Sequence, residues 1–366
     1  MPVKVPENRQ VSPYFMLFII YGIQVGIGVL SYERVLAEEI GNDGWITILI
    51  SGILMEVILW MVYRVLEKNG GDLIDIHKEL FGKWLGGLFS VIFSLYFLTM
   101  SLVVMRTYAE IVQVWMFPHL SYFAIAGMVG GTAYTFVSGG FRSITGISFL
   151  SIVYSTPLFI SLFFPLPYVH YENLLPMWHH APLTIISSTY QMILNFIGFE
   201  VLFLAYPFIK QPKKAKKWGY YAIYLTTMLY ILLFIITILY YPRRQLKGIL
   251  WPTIEIWKIV DLPFMERFEY IGITIWFFTI LPNIALSLWA ASRGFKRVFN
   301  INQRISAIFM SILIYIIGFF LDSRDDVDLL NTILSNIGFG FLCGYVPFLF
   351  VLQSIVYKVK KRNGQT

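Results

Sequence analysis

The stretch Asn195-Phe196-Ile197-Gly198-Phe199-Glu200 sets an amide, a helix-weakening glycine and a carboxyl within six residues, midway along an apolar run from Leu183 to Phe208. Groups of these types bind small polar molecules or exchange protons. Lipid tails offer them no partner, and a charge at the bilayer centre costs roughly 2.5–3.5 kcal/mol even on the lenient insertion scale. They must face another helix or a protein-lined cavity, and the second is how broken membrane helices build small-molecule sites. A matching interruption is Tyr21-Gly22-Ile23-Gln24-Val25-Gly26-Ile27-Gly28, where glycines recur at even spacing around an amide. Gly22 and Gly26 form a G-x-x-x-G pattern, which reads either as a close helix contact or as an unwound segment whose backbone faces a ligand.

Ionisable groups at Glu56, Arg106, Glu110 and Glu200 also fall inside apolar segments. Arg106 and Glu110 are four residues apart and within reach of each other on one helix. They read as a structural ion pair or as part of an ion and water path, with Tyr96 and Thr99 on the same face. Glu200 reads as a functional group or as a carboxyl held against backbone freed at Gly198. Farther along, Thr274, Trp276 and Thr279 lead to Leu281-Pro282-Asn283, where the proline supplies a bend. The candidate ligand-binding residues are therefore Gly22, Gln24, Gly26, Gly28, Tyr96, Thr99, Asn195, Gly198, Phe199, Glu200, Thr274 and Thr279. No metal centre is expected, because His179 and His180 are adjacent with no third ligand nearby. No phosphate loop, nucleophile triad or haem motif is present, so neither an enzyme nor a cofactor is indicated.

These groups must be positioned by helices that cross a membrane. Of 366 residues, 57% are apolar and 13% charged, and the mean hydropathy is +0.69, far above soluble globular proteins. Apolar windows place ten spans near 12–31, 44–63, 85–110, 122–138, 144–164, 183–208, 218–240, 267–291, 306–321 and 334–357. No hydrophilic block separates them, so one transmembrane domain is expected, with halves at 1–165 and 183–357 and a cytoplasmic tail at 358–366. The interrupted first and sixth spans then occupy equivalent positions in two five-helix halves, the signature of inverted-repeat transporters. The long connections 165–182 and 241–266, rich in aromatic residues, suit the interface. No removable signal peptide is evident, and the lone Cys343 excludes an internal disulfide.

The net charge of +7 is the kind that could attract nucleic acid, but its distribution argues otherwise. One set of alternating loops, including Lys210 to Lys217, holds twenty Lys and Arg, and the opposite set holds seven. That asymmetry puts both termini in the cytoplasm.

The order of these motifs resembles the B-subunits of spore germinant receptors, relatives of the amino acid, polyamine and organocation transporters. The resemblance rests on the first-span glycines and on Gly41-Asn42-Asp43-Gly44-Trp45. Further along it rests on the connection from Gly70-Gly71-Asp72 to Phe81-Gly82-Lys83-Trp84-Leu85-Gly86, on Asn195 to Glu200 leading into Tyr206-Pro207, and on Glu266-Arg267-Phe268-Glu269 before Trp276. It departs at Ser31-Tyr32-Glu33-Arg34, where the family often has Leu-Pro-Arg. The resemblance implies an all-α, ten-helix, leucine-transporter-like fold with discontinuous helices 1 and 6, in the inner membrane of a bacterial spore. It implies a small germinant (amino acid, sugar or nucleoside) and two protein partners, an A-type membrane subunit and a C-type lipoprotein. The competing expectation is a proton- or sodium-coupled amino acid transporter in which Glu200 or Glu110 titrates.

Overall fold

The computed structural model describes residues 5–263 and 265–362. Lys4, counted above among the basic residues, and positions 363–366 of the expected tail lie outside the described residues. The chain is almost entirely helical: α1 (Phe15–Gln24), α2 (Tyr32–Glu39), α3 (Gly44–Asn69), α4 (Leu73–Trp115), α5 (Tyr122–Ser138), α6 (Phe141–Ser161), α7 (Pro182–Ile193), α8 (Leu202–Ala205), α9 (Pro212–Tyr240), α10 (Arg243–Leu246), α11 (Pro252–Trp257), α12 (Phe268–Phe299), α13 (Gln303–Phe320), α14 (Arg324–Phe339) and α15 (Val346–Arg362).

Among the described residues, seven helical segments are long and apolar enough to cross a membrane, and the bent segment 182–208 makes an eighth. The shorter apolar helix α1, of 10 residues, and α5, of 17, fall where the first and fourth spans are expected, an order consistent with ten units. The interruptions fall where the glycines sit. After α1 the chain turns at Val25 and Gly26 into a short 3₁₀ segment, Ile27–Leu30, before α2. After α7 it bends by 53°. There Gly198 adopts φ 109°, a left-handed conformation, and an added Cβ would lie 2.9 Å from Ile23 Cγ1. Only glycine meets both demands.

Two boundaries differ from the apolar windows. The connection 64–83 is mostly helix, because Asp72 and Asp75 form a reciprocal capping box that starts α4 twelve residues before the expected 85. A kink at Gly82, φ 78°, then separates this first stretch from the apolar one. The last span likewise starts at Arg324, on a second capping box between Ser323 and Asp326, and passes through a π-helical segment at Gly340–Tyr345 into α15.

The core gathers around α12, which packs against α4, α6, α5, α13 and α1. On its other side α1 meets α9, which also packs on α3. The segment before α1 is latched to the chain beyond α8: Val11 N–H donates to Phe208 O at 2.8 Å, and Lys210 N–H donates to Val11 O at 2.8 Å. Lys210 also bonds Glu7 at 2.7 Å, and that hydrogen bond and charge hold the Glu7 carboxyl below its usual range.

Candidate functional site

A helix break in an apolar bundle frees carbonyl and N–H groups that need partners. In the α1 break three polar side chains supply them. Asn283 of α12 aims its amide nitrogen at Gly22 O (2.7 Å), Val25 O (3.3 Å) and its own helix's Thr279 O (3.4 Å). Gln24 Nε2 donates to Phe196 O at 3.0 Å, which ties the first break to the second. Tyr230 of α9 sets its hydroxyl 3.2 Å from Gln24 O and 3.0 Å from Asn195 O, so one proton serves carbonyls from both breaks.

The second break is held by Glu200. Its carboxylate accepts the Gly198 N–H at 2.8 Å and the hydroxyl of Tyr96, which reaches across from α4. Both side chains are buried. The carboxyl thus caps backbone that the bend exposes and secures the bend to α4.

Against these breaks lies a cavity of about 460 Å³, large enough for a small polar ligand. Gln24, Gly26, Gly28 and Asn195 form its inner wall, Val103 and Thr107 of α4 one side, and Trp251 part of its rim. The polar face of α14 closes the other side with Asp328, Asn331, Thr332, Ser335 and Asn336. Tyr190 of α7 hydrogen-bonds Asn336, bridging the cavity. At its rim Arg324 bonds Glu110 of α4 at 2.7 Å and Asp328 at 2.9 Å, with its guanidinium 5.5 Å from the Trp251 ring centre.

The residues singled out from sequence are dispersed around this geometry. Gln24, Gly26, Gly28 and Asn195 line the cavity. Gly22, Tyr96, Gly198, Phe199, Glu200 and Thr279 are buried behind it, where they build the breaks without lining it. Thr99 and Thr274 do not line it. Their hydroxyls bond back to Leu95 O (3.1 Å) and Tyr270 O (2.8 Å) one turn earlier.

Arg106 and Glu110 do not pair with each other. Arg106 instead donates to Leu321 O (2.6 Å) and Asp322 O (3.2 Å), and Glu110 takes Arg324. The four-residue spacing makes a local pair geometrically available, but the turn before α14 offers Arg106 its partners and the first residue of α14 takes Glu110. Glu56 is half-buried.

Asn283, Tyr230 and the α14 face were not anticipated as functional residues. The α14 face did carry a signal: Arg324, Asp328, Asn331 and Ser335 recur at helical spacing, hidden because the polar start of α14 falls between the apolar windows 306–321 and 334–357.

Paired broken helices, packed by intact ones around a cavity at the breaks, define a membrane protein of the leucine-transporter-like fold. Solved structures agree. A Na+-coupled sialic acid symporter, in a substrate-bound outward-open state, superposes with a TM-score of 0.70 at 11% identity, over 92% of this chain and 78% of that one. MhsT in complex with L-phenylalanine gives 0.68 at 14%, over 94% and 88%. Within that class the chain belongs to the spore germination protein family, whose profile matches residues 10–327. Spore germination protein GerQB of Bacillus cereus is 40% identical over 358 residues, covering 98% of this chain and 99% of the relative. Spore germination protein B2 of Bacillus subtilis (strain 168) is 25% identical over 357 residues, covering 95% and 96%. The chain is thus an integral membrane protein of a family that serves germination, a role distinct from catalysis.

Proposed function

We propose that this chain is the nutrient-sensing membrane subunit of a spore germinant receptor, which binds a small amino acid, sugar or nucleoside between its broken helices. The carrying observation is the cavity of about 460 Å³ whose inner wall is the unwound backbone at Gly26 and Gly28 beside Gln24 and Asn195. The remaining candidates, Gly22, Tyr96, Gly198, Phe199, Glu200 and Thr279, act by holding those breaks in register. The chain works as two five-helix halves, 1–165 and 183–357. It resides in the inner membrane of the spore with both termini cytoplasmic, surrounded by lipid, and passes its signal to an A-type membrane subunit and a C-type lipoprotein.

In this reading the chain exchanges between two states, and ligand shifts that equilibrium only if it binds one state better. The α14 face supports that requirement, because it touches the cavity and is tied across it through Arg324 and Asn336 to α4 and α7. The transporter reading draws on the same fold but has less support, because the carbonyls freed in the α1 break already have a built-in donor in Asn283.

The test is a screen of amino acids, sugars and nucleosides on spores lacking this gene and on spores regaining it. Germination restored to a defined compound, and lost again with Asn195→Ala, is the expected result. Complemented spores that respond to nothing beyond the deletion strain would sink the reading. Accumulation of the compound in proteoliposomes under an imposed sodium or proton gradient would favour transport instead.

A further inference from the structure

A second cavity, of about 530 Å³, opens at the end of the bundle that carries the basic loops. Arg9, Arg142, Arg293, Lys296 and Arg304 line it, and among the described residues no carboxylate does. The charge bias of loops explains why Lys and Arg are abundant on this face, but not why five of them share one concavity, where like charges repel.

Three other basic groups on this face have acidic partners. Arg297 bonds Asp72 (3.1 Å) and Asp75 (2.7 Å), Lys210 bonds Glu7 (2.7 Å) and Lys360 bonds Glu79 (2.9 Å). Within the cavity Arg142 donates to a backbone carbonyl, Asn8 O, at 3.0 Å. Arg293 has Asp72 no nearer than 3.9 Å, and its Nε is without a partner although the residue is only 6% exposed. A buried guanidinium N–H left open beside a cationic cavity wants an anion.

Two further features fit an anion. Arg293 is stacked 4.5 Å from the ring centre of Phe208, which also lines the cavity and fixes the direction of the fork. Helix α6 begins on the cavity wall at Gly140 and Phe141, and its N-cap supplies no side-chain acceptor. Ser143 N–H donates to Gly140 O at 3.0 Å, so the first turn offers the N–H groups of Phe141 and Arg142 together with its positive dipole end.

We propose that this cavity binds a phosphate group, carried either by an anionic lipid or by a soluble phosphate compound. Guanidinium forks match phosphate oxygens two at a time, lysine adds a point charge, and a helix N-terminus supplies backbone donors. The assignment does not depend on the germinant reading of the other cavity.

The full chain purified in detergent tests it. Thermal unfolding is followed in inorganic phosphate and in chloride at matched ionic strength. Retention of phosphatidylglycerol against phosphatidylcholine is read by native mass spectrometry. Stabilisation by phosphate identifies a soluble anion as the occupant; selective retention of phosphatidylglycerol without it identifies a lipid headgroup. In either case the Arg142→Gln/Lys296→Gln/Arg304→Gln variant, whose changed side chains are exposed or half-buried, binds about tenfold more weakly or worse. The proposal is overturned if neither probe binds preferentially, or if that variant binds as tightly as the natural chain.

Discussion

The amide nitrogen of Asn283 stands 2.7 Å from the carbonyl oxygen of Gly22, with Val25 O and Thr279 O completing a three-carbonyl cradle around it. Converging carbonyls of this kind are hard oxygen ligands, the type that suits a monovalent cation; here an uncharged NH₂ fills the space with its two protons. Asn283→Ala leaves buried acceptors unpaired and should destabilise the protein by about 1–3 kcal/mol. Asn283→Asp puts a carboxylate where the donor was. Its melting temperature in detergent should rise when sodium chloride replaces choline chloride, while that of the natural chain does not change. Equal sodium sensitivity in both proteins would show that the amide is no substitute for a cation.

The link between Tyr96 and Glu200 makes a second prediction. Because Glu200 also accepts the Gly198 N–H at 2.8 Å, its carboxyl belongs to the bend as much as to the side-chain pair. Tyr96→Phe and Glu200→Gln should each destabilise by about 1–3 kcal/mol, and the double variant should cost less than their sum, with a coupling of about 0.5–3 kcal/mol. Strict additivity in denaturation measurements would mean that the two groups do not share the work.

How far the site was legible follows from these residues. Both helix breaks are visible in the chain because a glycine beside an amide within an apolar run violates the helical pattern locally. Gly198 needs no distant knowledge. Asn283 and Tyr230 are ordinary polar residues in apolar helices, and they gain meaning only from carbonyls 258 to 261 and 35 to 206 positions away. Thr99 and Thr274 misled for the opposite reason, since a threonine in a membrane helix can satisfy itself on the preceding turn. Arg106 and Glu110 show that spacing makes a pair available without deciding it: the turn before α14 takes Arg106, and Arg324 at the start of α14 takes Glu110.

Gly198 itself is testable. Gly198→Ala must take φ 109° with a side chain and push against Ile23. Backbone strain of this sort costs about 1–3 kcal/mol. Ile23→Ala is itself costly, since Ile23 is buried in the core, but in that background the steric part is gone and the φ penalty stays, so the cost of Gly198→Ala should shrink without vanishing. No residual cost would show that crowding alone demanded the glycine, and an unchanged cost would show that the close approach to Ile23 is irrelevant.

At the rim, Glu110 and Arg324 connect α4 to α14 at 2.7 Å, partly open to water. An ion pair in that setting is worth about 1 kcal/mol or less, which would let the proposed ligand cavity open at low cost. In a Cys343→Ser background, a thiol introduced as Thr107→Cys lines the cavity beneath this pair. Adding Glu110→Gln should speed its modification by a polar maleimide about fivefold, the equivalent of roughly 1 kcal/mol. An unchanged rate would remove the pair from any gating role.

Tyr230 tests whether the two breaks behave as one unit. Its hydroxyl lies between Gln24 O and Asn195 O, the last carbonyl of α1 and one in the turn after α7. Tyr230→Phe keeps the ring, which packs edge-on against Tyr32 and Phe196, and deletes the hydroxyl that carries the shared proton. The expected cost is about 1–2 kcal/mol. The distinguishing observation is where that cost falls. Hydrogen exchange followed by mass spectrometry should quicken together in the peptides spanning Gln24 to Gly28 and Asn195 to Gly198, because both lose the same partner. Faster exchange at one break alone would mean that the hydroxyl serves a single carbonyl and that the breaks move independently. The proposed sensing of an occupant through both walls of the cavity requires the coupled outcome.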